Sequence, residues 1–137
     1  MRTDLLKRFA AILMISSSLT FVSLVEPAQA DDMDLYASSG YTYCDAKLIG
    51  DLWGISVEDA KAQIGMKIRT GIGGNIPSVL RLSRQSGNAC DWVDTGYSYE
   101  DAEKLSQVWG DSTDEAKAKI AQYVTNGQRY IVERALH

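Results

Sequence analysis

The sequence predicts an all-α fold: a small domain made of two tandem αα-hairpin repeats, each followed by a short third helix and packed with approximate two-fold symmetry. Three observations predict it. Residues 40–71 align with residues 96–127 without a gap at a spacing of 56, and 13 of the 32 aligned positions are identical. Inside each copy the apolar residues recur every three or four places, which is the period of one helix face. Each periodic run opens on a hydroxyl residue with a carboxylate three places later and closes on a glycine, the signals that start and stop helices. A self-match at a fixed period sets the organisation of the chain before any single residue is interpreted. It places repeat 1 at about residues 34–87 and repeat 2 at about residues 90–137, after a leader of residues 1–30.

The leader comes first. Arg2, Lys7 and Arg8 make a basic start, residues 9–25 are apolar, Glu26 and Pro27 interrupt them, and Ala28-Gln29-Ala30 has small residues flanking the middle position. That pattern is a secretory signal peptide cleaved after Ala30, which makes the protein secreted or periplasmic. A membrane anchor is the competing reading. The apolar run of 17 residues is interrupted by hydroxyl residues and sits at the short end for a bilayer span. Membrane contact is therefore expected only through an uncleaved signal.

The 107 residues that remain hold 11 basic and 16 acidic side chains, a net charge of −5. That is enough chain for one modest core, and the acidic balance argues against a nucleic-acid partner. They also hold two cysteines, Cys44 and Cys90. An even count in an exported chain predicts a disulfide, here closing a loop of some 45 residues. The alternative is a reactive thiol at Cys44, in the first turn of a helix whose dipole would favour the thiolate.

Residues 31–39 are acidic and poor in apolar side chains, and their first few are expected to fray. The repeat proper starts with Thr42 and Asp45, matched by Ser98 and Asp101. The hydroxyl accepts from the backbone three residues on, and the carboxylate returns the bond to the cap. Capping explains Asp45 and Asp101 without assigning them to catalysis. The first helix then carries Ala46, Ile49, Leu52 and Trp53 on one stripe, matched by Ala102, Leu105, Val108 and Trp109. Gly54 and Gly110 end it. Ser56 and Ser112 cap the second helix, with Asp59 and Glu115 three places on, and Gly71 and Gly127 close it. The period puts Trp53 and Trp109 with the core, fixing the angle between the two helices; an aromatic platform for a ligand is the alternative.

The copies then diverge. Residues 71–74 are glycine-rich, and Asn75 and Pro77 open a third helix through Val79, Leu80 and Leu82 that Gly87 stops. Repeat 2 has no glycine loop. Its last segment carries Tyr130, Ile131, Val132, Ala135 and Leu136 and reads as helix, although the β-branched pair also suits a strand.

Few catalytic chemistries are open to this chain. Its one histidine is the last residue, His137, so neither a histidine-based nucleophile site nor a histidine metal site is indicated. Neither a phosphate-binding loop nor a dinucleotide fingerprint is present, and no cofactor is expected. One feature departs from the repeat. Residues 60–90 contain five basic side chains, Lys61, Lys67, Arg69, Arg81 and Arg84, and no acidic one. The flanking segments are acidic, and repeat 2 has Tyr123 and Thr125 where repeat 1 has Lys67 and Arg69. The predicted binding residues are accordingly Lys67, Arg69, Asn75, Arg81 and Arg84, with an acidic protein surface or an anionic glycan as partner. The bland alternative is a solvated basic face that balances the acidic ends.

The expected function is a non-catalytic binding or interaction module. An enzyme acting on envelope glycans would need a carboxylate pair across a cleft, for which Glu100 and Glu103 or Asp91 and Asp94 are the candidates. A structural protein that associates with itself through the repeat is a third class.

Overall fold

The computed structural model describes residues 27–137, so the basic start and the apolar run of the leader lie outside the described residues. The described chain is all-helical, without strands: α1 (Pro27–Ser38), α2 (Tyr43–Trp53), α3 (Val57–Arg69), α4 (Ile76–Gln85), α5 (Tyr99–Trp109), α6 (Thr113–Thr125) and α7 (Arg129–Leu136). Two 3-10 turns, Gly73–Asn75 and Trp92–Asp94, lead into α4 and α5.

Local chemistry accounts for the ends of the four central helices. Thr42 and Ser98 accept from the N–H groups of Asp45 and Asp101, whose carboxylates accept in turn from the cap N–H groups at 2.8 Å. Ser56 and Ser112 accept from the N–H groups of Asp59 and Glu115. Gly54 (φ +67°) and Gly110 (φ +74°) take the left-handed conformation that lets one chain turn close α2 and another close α5. The bounds of α5 and α6 are those of α2 and α3 displaced by 56 residues. The short segments before them also correspond: Ser39 and Thr95 each donate a hydroxyl to the carbonyl three residues back, on Tyr36 and Trp92.

Packing joins α2 to α3 and α4, and α5 to α6 and α7, with α2 meeting α6 across the middle. The core consists of Ala46, Leu48, Ile49, Ala60, Ile64, Ile76 and Leu80 from the first half, and Ala102, Leu105, Ala116, Ile120, Val124 and Val132 from the second. Burying such aliphatic side chains stabilises by about 1.5–3 kcal/mol each. Val132 lies inside a helix, so the β-branched pair of the last segment does not make a strand. A buried hydroxyl adds direction to the packing: Ser83 of α4 donates to the Leu48 carbonyl and accepts from the Asn88 side chain. Cys44 and Cys90 are bonded, with their Cα atoms 5.8 Å apart, which ties the first turn of α2 to the chain entering the second half.

Two expectations are corrected. Trp53 is not a core anchor: it is 39% exposed and lies outside the buried cluster, while Trp109 is only half-buried against its edge. Each indole ends its helix, Trp53 beside the Lys67 ammonium of α3 and Trp109 against the Tyr123 ring of α6. Val108, on the same predicted stripe, is 57% exposed, and Leu48, off that stripe, is fully buried because α2 is packed by α3, α4 and α6 at once.

The second correction concerns the first few residues of the segment 31–39, which stand in regular helix. Residues 31–38 belong to α1, and α1 lies on α3. Gly65 permits the approach, since a Cβ there would fall 1.7 Å from the Asp32 carbonyl oxygen. Arg69 secures it, with its guanidinium on the Asp32 carboxylate at 2.7 and 3.3 Å.

Candidate interaction surface

The five predicted binding residues start from the sequence segment that forms the end of α3, the glycine loop and α4, and the fold sends them in different directions. Arg69 is held by Asp32 of α1, a residue only 7% exposed, and the hydrogen bond with that carboxylate raises the Arg69 pKa. Arg84 turns the other way. Its Nε donates to the Thr125 carbonyl of α6, and its guanidinium lies against Gly127. Lys67 places its ammonium 5.5 Å from the centre of the Trp53 ring. Asn75 precedes α4 in the cap position but makes no side-chain capping bond, because its backbone is already helical at φ −87°, ψ −12°. Arg81 is exposed on α4.

A basic stretch in sequence is thus drawn apart into contacts that hold α1, α6 and Trp53. Lys61, the other base of that stretch, is also occupied: it pairs with Glu58 at 2.6 Å and stands over the rings of Tyr43 and Tyr36 at 5.1 and 5.9 Å. Its counterpart Lys117 pairs with Asp114 and stands 4.6 Å over Tyr99. These lysines cover tyrosine rings with their stems and heads, so they serve packing first.

The indole at the end of α2 differs in kind. Trp53 is the last residue before the left-handed turn at Gly54, and its ring is partly open to solvent. Lys67 supplies a positive charge over the ring, and the backbone of half-exposed Ile72 is tied to the same residue through its N–H on the Lys67 carbonyl, 2.8 Å away. In the second half, Tyr123 occupies the position of Lys67 and packs edge-on against Trp109 at 6.0 Å. Lys119 flanks that indole at 6.0 Å and is itself paired with Asp111. A tyrosine edge therefore closes over Trp109 where Trp53 keeps a lysine and open surface.

The carboxylates considered for catalysis are arranged as helix-start residues. Asp94 accepts from the Asp91 N–H at 3.0 Å in a capping box on the Trp92–Asp94 turn. Glu100 and Glu103 are exposed on the first turns of α5. Glu133 accepts from the Tyr97 hydroxyl at 2.5 Å, while Arg129 lies over the Tyr97 ring and donates to the Thr95 carbonyl. Burial first, and then the bond with Glu133, hold the Tyr97 phenol far above its ordinary pKa, which suits a structural clamp for α7 on α5. No group of three metal-ligating side chains gathers among the described residues.

Two open clefts flank α1. One, of about 480 Å³, is lined by Gln29, Asp32, Ile55, Asp59, Gln63, Met66 and Arg69 among others. The other, of about 380 Å³, lies between α1 and Arg69. Neither is lined by a second of the five predicted binding residues. Sequence reasoning could have found the α1 seat from one signal, the glycine at position 65 in the middle of a helix where the aligned residue is Ala121.

No family model, curated protein or solved structure matches the chain.

Proposed function

We propose that the chain is an exported, non-catalytic binding module made of two pseudo-equivalent units related by approximate two-fold symmetry, and that it engages an acidic protein surface through Trp53 and Lys67. The duplicated sequence, the equal displacement of α2–α3 and α5–α6, and the matching caps support the two-unit reading. The observation that carries the binding reading is the exposed indole. Trp53 stands in a position where both units have tryptophan, yet it is outside the core and carries a lysine above its face.

An exposed tryptophan is a side chain that protein interfaces use as an anchor, because it buries a large area, and a lysine beside it can meet a carboxylate of an acidic partner. The test immobilises residues 31–137, captures partners from an envelope extract and compares Trp53→Ala and Lys67→Gln with the parent. Trp53→Ala is expected to weaken capture about 30-fold, the equivalent of about 2 kcal/mol, while costing less than about 1 kcal/mol of stability. Capture unaffected by both substitutions would remove the proposal.

A further inference from the structure

Proteases that remove signals read their substrates as extended chain, and Ala28 and Ala30 supply the small side chains before the Ala30–Asp31 bond. In the folded protein that bond lies within α1. A helix advances about 1.5 Å per residue and an extended chain about 3.3 Å, so entering a protease cleft requires α1 to unwind on both sides of the bond. Gln29, Ala30 and Asp31 are exposed and offer no obstacle by themselves. Asp32, the second residue after the bond, is fixed twice. Its carboxylate is gripped by Arg69 through two hydrogen bonds. Its carbonyl lies on Gly65 with no space for even a methyl group between.

We propose that docking of α1 on α3 closes the Ala30–Asp31 bond to signal peptidase. Chain cut before it folds is released, and chain that folds first keeps its apolar leader and stays anchored to the membrane. The cleavage is a hydrolysis: water adds to the Ala30 carbonyl, the peptide C–N bond breaks, and Ala30 leaves as a carboxylate and Asp31 as an amine. Folding speed then sets the ratio of released to tethered protein. The inference rests on the export reading, and its test separates the two.

Full-length chain in detergent is offered to purified bacterial signal peptidase, either folded with its disulfide formed or freshly diluted from urea. The unfolded chain is expected to be cut to a product beginning at Asp31, and the folded chain at least about tenfold more slowly. Folded Arg69→Ala and Gly65→Ala chains, each shown to melt cooperatively, are expected to be cut at rates approaching that of unfolded chain. Equal rates for folded and unfolded parent would overturn the occlusion. Resistance that persists in both variants would overturn the role of the α1 seat. If neither form of the parent is cut, the export reading itself fails.

Discussion

Gly65 decides whether α1 can lie on α3. The atoms that a Cβ would strike are backbone atoms of Asp32, which have no rotamer by which to move aside. Gly65→Ala is therefore expected to cost about 1–3 kcal/mol in chemical denaturation despite the better helix propensity of alanine, and to raise amide exchange across residues 31–38. At the aligned position Ala121, the reverse change to glycine is expected to cost only about 1 kcal/mol, the propensity difference alone. The same scale separates the two candidate anchors of α2. Ile49 is fully buried and its truncation to alanine is expected to cost about 2–5 kcal/mol, whereas Trp53→Ala should fall below about 1 kcal/mol. A denaturant midpoint that falls as far for Trp53→Ala as for Ile49→Ala would return the indole to the core. Periodicity alone put both residues on one buried stripe. It records the direction in which a residue leaves its helix, and it carries no record of which neighbours the fold brings to that face.

Among the elements, α2, α3, α5 and α6 were legible because their signals are local. A hydroxyl, a carboxylate three places on and a glycine at the end each act within one turn, so the residues that read as caps are those that make the cap bonds. By contrast α1 was not legible. Its segment has no apolar stripe, and it is helical because Gly65, Arg69 and the ring of Tyr36 give it a seat, all of them tertiary reasons. Tyr36 makes that seat sensitive to alkali. Burial, then the nearby Asp45 and Glu58 carboxylates, push its phenol up to about 12 from an ordinary value near 10. The folded state holds this proton more tightly than the unfolded state does. The contribution of Tyr36 is thus fully present below pH 10 and is lost as pH rises through 12. Absorbance titration of the tyrosines is expected to show a late phase that Tyr36→Phe diminishes, and the variant should lose less stability than the parent across that interval. A titration identical in parent and variant would contradict this placement of Tyr36.

For the whole molecule, the basic middle and the acidic ends make sense as internal wiring. Arg69 reaches back to α1 and Arg84 reaches forward to α6, so charge that is separated in sequence is used to hold the chain's parts together. Composition counts charges, and only the fold shows which of the five predicted binding residues already have partners within the chain. The two halves meet directly where α2 touches α6, and two further links join them near the end of α6. Cys44 is bonded to Cys90, the Cys90 N–H donates to the Thr125 hydroxyl at 2.9 Å, and the Thr125 carbonyl accepts from Arg84.

These links add to the buried core in which residues of both halves meet, and so add to the cooperativity between the halves. The intact chain is expected to unfold in a single transition, with calorimetric and van't Hoff enthalpies equal. Opening the disulfide frees a loop with a sequence separation of 46 and is expected to cost about 4 kcal/mol. Adding Arg84→Ala removes the second link and leaves the Thr125 carbonyl without its donor. In the reduced Arg84→Ala chain the calorimetric enthalpy should exceed the van't Hoff value. Amides of α5–α7 should then exchange at a rate distinct from those of α2–α4. One transition in every form would mean that the α2–α6 contact alone couples the halves, and that the disulfide serves stability without serving their union.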